Sequence, residues 1–66
     1  MTIKVNGDPV ELPLPVTVSV LLSVLDVDPR RVAVELNVAV VKKAAYDTTV
    51  ISDGDEVEIV NFVGGG

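Results

Sequence analysis

The sequence predicts an α+β domain: a mixed sheet of four to five strands with one main helix packed on one face. Three observations carry this reading. Apolar and polar residues alternate in "TIKVN" near the start, in "VAVEL" in the middle and in "DEVEI" near the end, which is the period of half-buried strands. One stretch, "VSVLLSVL", places Val18, Leu21, Leu22 and Leu25 at the i, i+3, i+4, i+7 spacing of a single helix face. Valine is the commonest residue, sixteen of 66, and its branched Cβ suits strands better than helices.

The elements follow in order. In "TIKVN", Ile3 and Val5 point to one face and Thr2, Lys4 and Asn6 to the other. Gly7-Asp8 turns the chain and "PVEL" (Pro9 to Leu12) returns as the second strand of a hairpin, with Pro9 at its first position. The prolines flanking Leu14 prevent a helix there. Thr17 then stands where an N-cap is needed. Val20 and Val24 lie off the apolar stripe, and β-branching makes this a mediocre helix by propensity, so packing must hold it. Asp26 to Pro29 end it. Val32, Val34 and Leu36 form the next strand, and Asn37 to Ala39 turn the chain into a short strand at "VV". "KKAAYDTT" reads as a loop with a single helical turn. Asp53-Gly54-Asp55 is the clearest turn of all, and the strongest strand follows it. The helix face packs on Ile3, Val5, Val34, Leu36, Val57 and Ile59. This order of elements is that of a β-grasp, the ubiquitin-like architecture, in which the last strand lies centrally, beside and parallel to the first.

Size and composition narrow the function. Sixty-six residues make one domain, predicted over 1–63, followed by a flexible glycine tail over 64–66. A chain this short buries only about 60% of its unfolded surface. With no Cys and no His, it has neither disulfides nor imidazole or thiolate metal sites to help. The net charge of −5 repels nucleic acid and suits a partner with a basic docking face. No apolar run approaches the roughly 18 residues of a membrane span. The start shows no charged region followed by an apolar stretch, so the expected compartment is the cytoplasm.

Catalysis has little to stand on. Ser19, Ser23 and Ser52 lie in no motif that would supply a base and an orienting group. Asp53 and Asp55 read as turn residues, Glu56 and Glu58 as the solvated face of a strand, and Arg30-Arg31 and Lys42-Lys43 as solvated charge. The expectation is a protein with no active site and no bound metal or cofactor of its own. The distinctive chemistry is the end, Gly64-Gly65-Gly66. Glycine carries no Cβ, so the segment cannot pack, but it can enter a channel too narrow for any side chain. From Val63 to Gly66 it reaches up to about 14 Å. What it would carry there is the carboxylate of Gly66, a poor acyl donor until activated, for example as an acyl-adenylate. Beside it, if Val57 and Ile59 face the helix, Val60 shares the outer sheet face with Glu58 and Phe62. That apolar pair beside a reactive tail has the character of a docking site, with Asp55, Glu56 and Glu58 steering a basic partner.

The whole chain resembles the small sulfur carrier proteins of thiamine biosynthesis, the ThiS family. The likeness rests on "VNG" in the first hairpin, "TVSVLLSVLDVDPRRVAVELN" through the helix and the next strand, and "DGDEVEIVNFVGGG" at the end. It departs from the family at Val38, where glycine is frequent after the asparagine, at "LPLP" before the helix, and in the glycine that precedes the final pair. The resemblance implies that a ThiF-like adenylyltransferase uses ATP and Mg²⁺ to adenylate the Gly66 carboxylate. Sulfur from a donor such as a cysteine desulfurase then makes a thiocarboxylate, and a ThiG-like thiazole synthase takes that sulfur to build the thiazole. The same chemistry would serve a carrier for molybdopterin or tRNA thiolation. A ubiquitin-like protein modifier would instead yield isopeptide conjugates, and an interaction domain with an inert tail would lose nothing on deletion of Gly66.

Overall fold

The structure is a computed structural model and describes residues 1–62. Val63 to Gly66, and with them the predicted boundary between domain and tail, lie outside the described residues. Among the described residues seven strands and one α-helix follow one another: β1 (Thr2–Val5), β2 (Asp8–Glu11), β3 (Val16–Thr17), α1 (Val18–Val24), β4 (Val32–Leu36), β5 (Ala39–Val41), β6 (Val50–Ile51) and β7 (Glu56–Asn61), with 3₁₀ turns at Pro29–Arg31 and Lys43–Ala45. Five strands form one sheet in the order β2-β1-β7-β4-β5, and β3 pairs with β6 in a separate ribbon. The last strand is central, parallel to β1 and antiparallel to β4, as a β-grasp requires.

Two asparagines hold β7 in that place. β1 pairs with it only through Lys4↔Glu56 and Val5↔Val57. Beyond that point β1 turns away, and the Asn6 side chain takes over the ladder: its Oδ1 accepts from Ile59 N at 2.7 Å and its Nδ2 donates to Ile59 O at 3.1 Å. On the other flank Asn37 N donates to Glu56 O at 2.8 Å, and Asn37 Oδ1 accepts from Glu56 N at 2.9 Å. Both asparagines have φ of 50°, each followed by a second residue of positive φ, Gly7 at 86° and Val38 at 74°. These are two-residue hairpin loops of the type I′ kind. Asn-Gly is the favoured pair for such a loop. Asn37-Val38 is not, because a β-branched residue at positive φ brings Cβ against the backbone. The hydrogen bonds of Asn37 to β7 impose the turn on Val38, whose side chain is 89% exposed and gains nothing from it.

The helix is short, and its ends are closed by specific groups. Thr17 Oγ1 accepts from Val20 N, as predicted for the N-cap. The two preceding donors, Val18 N and Ser19 N, reach Thr49 O and Tyr46 O, both at 3.0 Å. The β3–β6 ribbon, which sequence reasoning did not foresee, brings the chain before the helix against the segment that supplies Thr49. At the other end Asp26 N donates to Ser23 O and Val27 N to Leu22 O, with Asp26 at φ 59°. This is a Schellman closure built on Asp in place of Gly. The helix therefore stops at Val24, one residue short of the predicted end, with Leu25 as its C-cap.

Val18, Leu21 and Leu22 of the helix stripe are fully buried, and Val20 and Val24 are exposed, as the spacing predicts. Ile3, Val34 and Val57 meet them from the sheet, and Val5, Leu36, Leu25 and Ile59 pack at the margin. Val32 is buried on the same face as Val34, as the alternation predicts, and Leu12, Tyr46 and Ile51, which the sequence reading did not place in the core, complete it. Tyr46 is the least legible of these: it leaves the second 3₁₀ turn to fill the core, and its hydroxyl donates to Val32 O at 3.3 Å. Among the described residues no buried side-chain polar atom lacks a partner.

Two predictions follow from this packing. Val38→Gly relieves the left-handed strain at an exposed site and should raise stability by about 1 kcal/mol, read as a rise in melting temperature of about 5 °C. Burial raises the Tyr46 phenol above its ordinary value of 10.0. Folding thus favours its neutral form, and the associated stability is intact below pH 10 and lost as pH rises beyond it. Melting curves from about pH 8 to about pH 11 should show an alkaline decline that is smaller in Tyr46→Phe than in the unsubstituted protein.

Candidate functional site

The residues that lead into the glycine tail stand at the C-terminal end of β7. Pairing with β4 runs Leu36↔Val57, Glu35↔Glu58, Val34↔Ile59, Ala33↔Val60 and Val32↔Asn61. Phe62 N then donates to Arg31 O at 2.9 Å, so the ladder extends one residue past the strand. Alternation divides β7 into an inner set, with Val57 buried and Ile59 partly buried, and an outer set of Glu56, Glu58 and Val60 that continues toward Phe62.

The three residues singled out for docking are all exposed. Val60 is 57% and Phe62 52% accessible, and Glu58 is open to solvent. Val60 stands opposite Ala33, a small neighbour that leaves it uncovered. Glu58 stands opposite Glu35, a like-charge pair on directly facing positions, which costs stability in an antiparallel sheet. Gly64, Gly65 and Gly66 lie outside the described residues.

The acidic residues expected to steer a partner are divided. Glu58 is near the middle of β7, but Asp55 and Glu56 are at its start, roughly 20 Å from the end that leads to the tail. Asp55 is also committed to the turn: its carboxylate accepts from Ser52 N at 2.8 Å and from Asn37 Nδ2 at 3.1 Å. Asp53 accepts from Thr2 N at 2.8 Å, tying the same turn to the start of β1. The turn reading of this pair is therefore the correct one.

The end that leads to the tail is cationic. Of the five Lys and Arg in the chain, Arg30 and Arg31 precede β4 and Lys42 and Lys43 follow β5, all at the end of the sheet where β7 finishes. Arg30 forks onto Asp28, with Nε to Oδ1 at 3.1 Å and Nη2 to Oδ2 at 3.0 Å, while Arg31 Nε lies 3.8 Å from Oδ2. The Arg30 hydrogen bonds hold the Asp28 carboxyl at about 2, below its usual range. The pair is solvent-exposed and adds little stability. Lys43 is placed differently: Nζ lies 5.1 Å from the centroid of the Phe62 ring and donates to Arg30 O at 3.0 Å. Sequence reasoning took Lys42-Lys43 as solvated charge. Nothing local to the sequence signals the contact, which depends on β5 running antiparallel to β4 and returning the chain to the end of β7.

Among the described residues no group of three or more His, Cys, Asp or Glu could hold a metal ion, and no helix is long and apolar enough to cross a membrane. The site is an anchored strand end, flanked by cations and an open apolar face.

Comparison with known proteins agrees with this geometry. The ThiS family model matches residues 3–66. The crystal structure of thiamine biosynthesis protein ThiS from Geobacter metallireducens is 42% identical and superimposes with a TM-score of 0.88, covering all of both chains. Among curated relatives, a thiazole synthase of Paramagnetospirillum magneticum is 44% identical over 66 residues, which are all of this chain and 20% of that protein. The uncharacterized protein ycf40 of Porphyra purpurea is 36% identical over 66 residues and 93% of its own length. The chain thus spans about a fifth of the thiazole synthase it matches and nearly all of ycf40. With a family match from the first strand through the three glycines and a shared fold over the entire chain, this protein belongs to the ThiS family.

Proposed function

We propose that the chain is a sulfur carrier of thiamine biosynthesis whose working group is the carboxylate of Gly66. The observation that carries this is the three-glycine segment, matched by the ThiS family model through residue 66 and preceded by a strand fixed at the centre of the sheet. An anchored β7 followed, after Phe62 and Val63, by three residues without side chains is suited to delivering a carboxylate into a narrow pocket of another protein. That carboxylate needs activation. A carboxylate oxygen attacks the α-phosphorus of ATP on a ThiF-like, Mg²⁺-dependent adenylyltransferase, and pyrophosphate leaves. Hydrosulfide, set free from the persulfide of a donor such as a cysteine desulfurase by a thiol that ends as a disulfide, then attacks the carbonyl carbon, and AMP leaves. The resulting thiocarboxylate gives its sulfur to a ThiG-like thiazole synthase. A thiazole synthase that contains a region similar to this entire chain favours that recipient over molybdopterin or tRNA thiolation. The carrier contributes reach and a docking surface and performs no catalysis, and its place of work is the cytoplasm.

The docking surface in this reading is the outer face of β7. Val60 and Phe62 offer apolar area to the partner, and Glu58 sits beside them with an unrelieved like-charge neighbour, Glu35. A partner cation inserted between the two carboxylates would gain from both.

Incubation with ATP, Mg²⁺, a sulfide source and a ThiF-type adenylyltransferase should replace one oxygen by sulfur at Gly66, read by mass spectrometry of the intact chain and its C-terminal peptide. Gly65→Trp should keep the fold and lose thiolation on the order of 100-fold. Thiolation of that variant at the unsubstituted rate would overturn the reading. Glu58→Lys separates folding from docking. It relieves the repulsion with Glu35 and should raise stability by about 0.5 kcal/mol in urea denaturation, while raising KM for the partner.

A further inference from the structure

We propose that Lys43 is a positioning residue that fixes the point from which the tail departs. This rests on the carrier reading, but its evidence lies in the described residues. Phe62 is the last of these and has left the regular strand. Among the described residues its backbone is held by one hydrogen bond, from its N–H to Arg31 O at 2.9 Å. A single terminal bond at a sheet's end frays readily. Lys43 adds a second hold from a different segment. Its ammonium sits 5.1 Å from the ring centroid, inside the range of a cation–π contact, and donates to Arg30 O at 3.0 Å. One charge thus joins the ring of Phe62 to the carbonyl next to the one its amide uses. Ring and amide are both tied to Arg30-Arg31, and the chain is held on two sides where the tail begins.

Position matters here because the three glycines that follow Val63 have no side chains with which to be guided. If Phe62 sampled several placements, residues 63–66 would start from a moving origin, and the partner would have to bear the cost of fixing it. A fixed origin lowers that cost without touching the reacting carbon. Lys43 should therefore affect how readily the tail is captured and leave the chemical step unchanged. The contact occupies only part of the ring, since Phe62 remains about half exposed, so holding Phe62 is compatible with its offering area to a partner.

The test uses Lys43→Met, which keeps the aliphatic stem and removes the charge, and Lys43→Arg, which restores a cation able to stack on the ring. Lys43 is exposed, so both variants should fold. Amide exchange of Phe62 in the isolated protein should quicken roughly two- to five-fold in Lys43→Met and return in Lys43→Arg. With a ThiF-type adenylyltransferase, ATP, Mg²⁺ and sulfide, KM should rise by the same factor in Lys43→Met with kcat unchanged, again reversed by Lys43→Arg. Unchanged Phe62 exchange, a loss confined to kcat, or an arginine variant as impaired as the methionine one would each overturn the proposal. An unsubstituted chain that never acquires sulfur would instead sink the carrier reading. One that does so no faster than a Lys43→Met variant with intact KM would sink the clamp alone.

Discussion

Everything in this fold depends on keeping the final strand between β1 and β4. The parallel partner offers only two register pairs before turning away, so backbone pairing with β1 cannot hold the length of β7. Two asparagine side chains make up the deficit. Asn6 imitates a further strand residue against Ile59, and Asn37 closes the other flank against Glu56. Each sits at the first corner of a hairpin loop, where a left-handed backbone turns its amide toward β7. A residue unable both to adopt that backbone and to donate and accept would leave the central strand with unpaired groups on one side. In the carrier reading proposed above, these two turn residues serve function by fixing the strand that precedes the glycines in sequence.

The domain shows how a chain with little to bury is made to fold. Its core is aliphatic except for Tyr46, and the helix spans only seven residues. Such a helix has no stability of its own. It is held by the Thr17 cap, by carbonyls borrowed from Tyr46 and Thr49, by the Schellman closure at Asp26, and by the burial of Val18, Leu21 and Leu22. Local strain is accepted at Val38, where the hairpin that secures Asn37 demands a conformation valine disfavours. Stability is spent there on geometry, which is understandable if the geometry of β7 is what the protein exists to provide.

Much of this was legible in the sequence because it follows from periodicity. The alternation in β1, β4 and β7 and the helix stripe gave the sheet, the helix and the inner set of Ile3, Val34 and Val57. Thr17 was readable as a cap, and Asp53-Gly54-Asp55 as a turn. What escaped were contacts that exist only after the chain has come together. Val16–Thr17 and Val50–Ile51 are too short to show a period, and each is a strand only because the other is present. Tyr46 carries no pattern within its polar loop. Lys43 looks like any solvated lysine until β5 brings it back over Phe62. Asp55 and Glu56 looked like neighbours of the tail because they are close in sequence, yet a strand is extended, and a few residues of β7 put them at the opposite end of the sheet.

The separation of charge along that sheet has its own consequence. Asp53, Asp55 and Glu56 gather at the start of β7, while Arg30, Arg31, Lys42 and Lys43 surround its finish, so an acidic molecule carries a positive pole where its tail begins. Such a molecule feels torque as well as attraction in an external field. Near a partner whose entrance is negative, it would rotate to present that pole before contact, and a larger share of collisions would begin with the finish of β7 in front. Added salt, by shortening the range of the field to about 10 Å or less, would randomise those first encounters without altering a single contact in the finished complex.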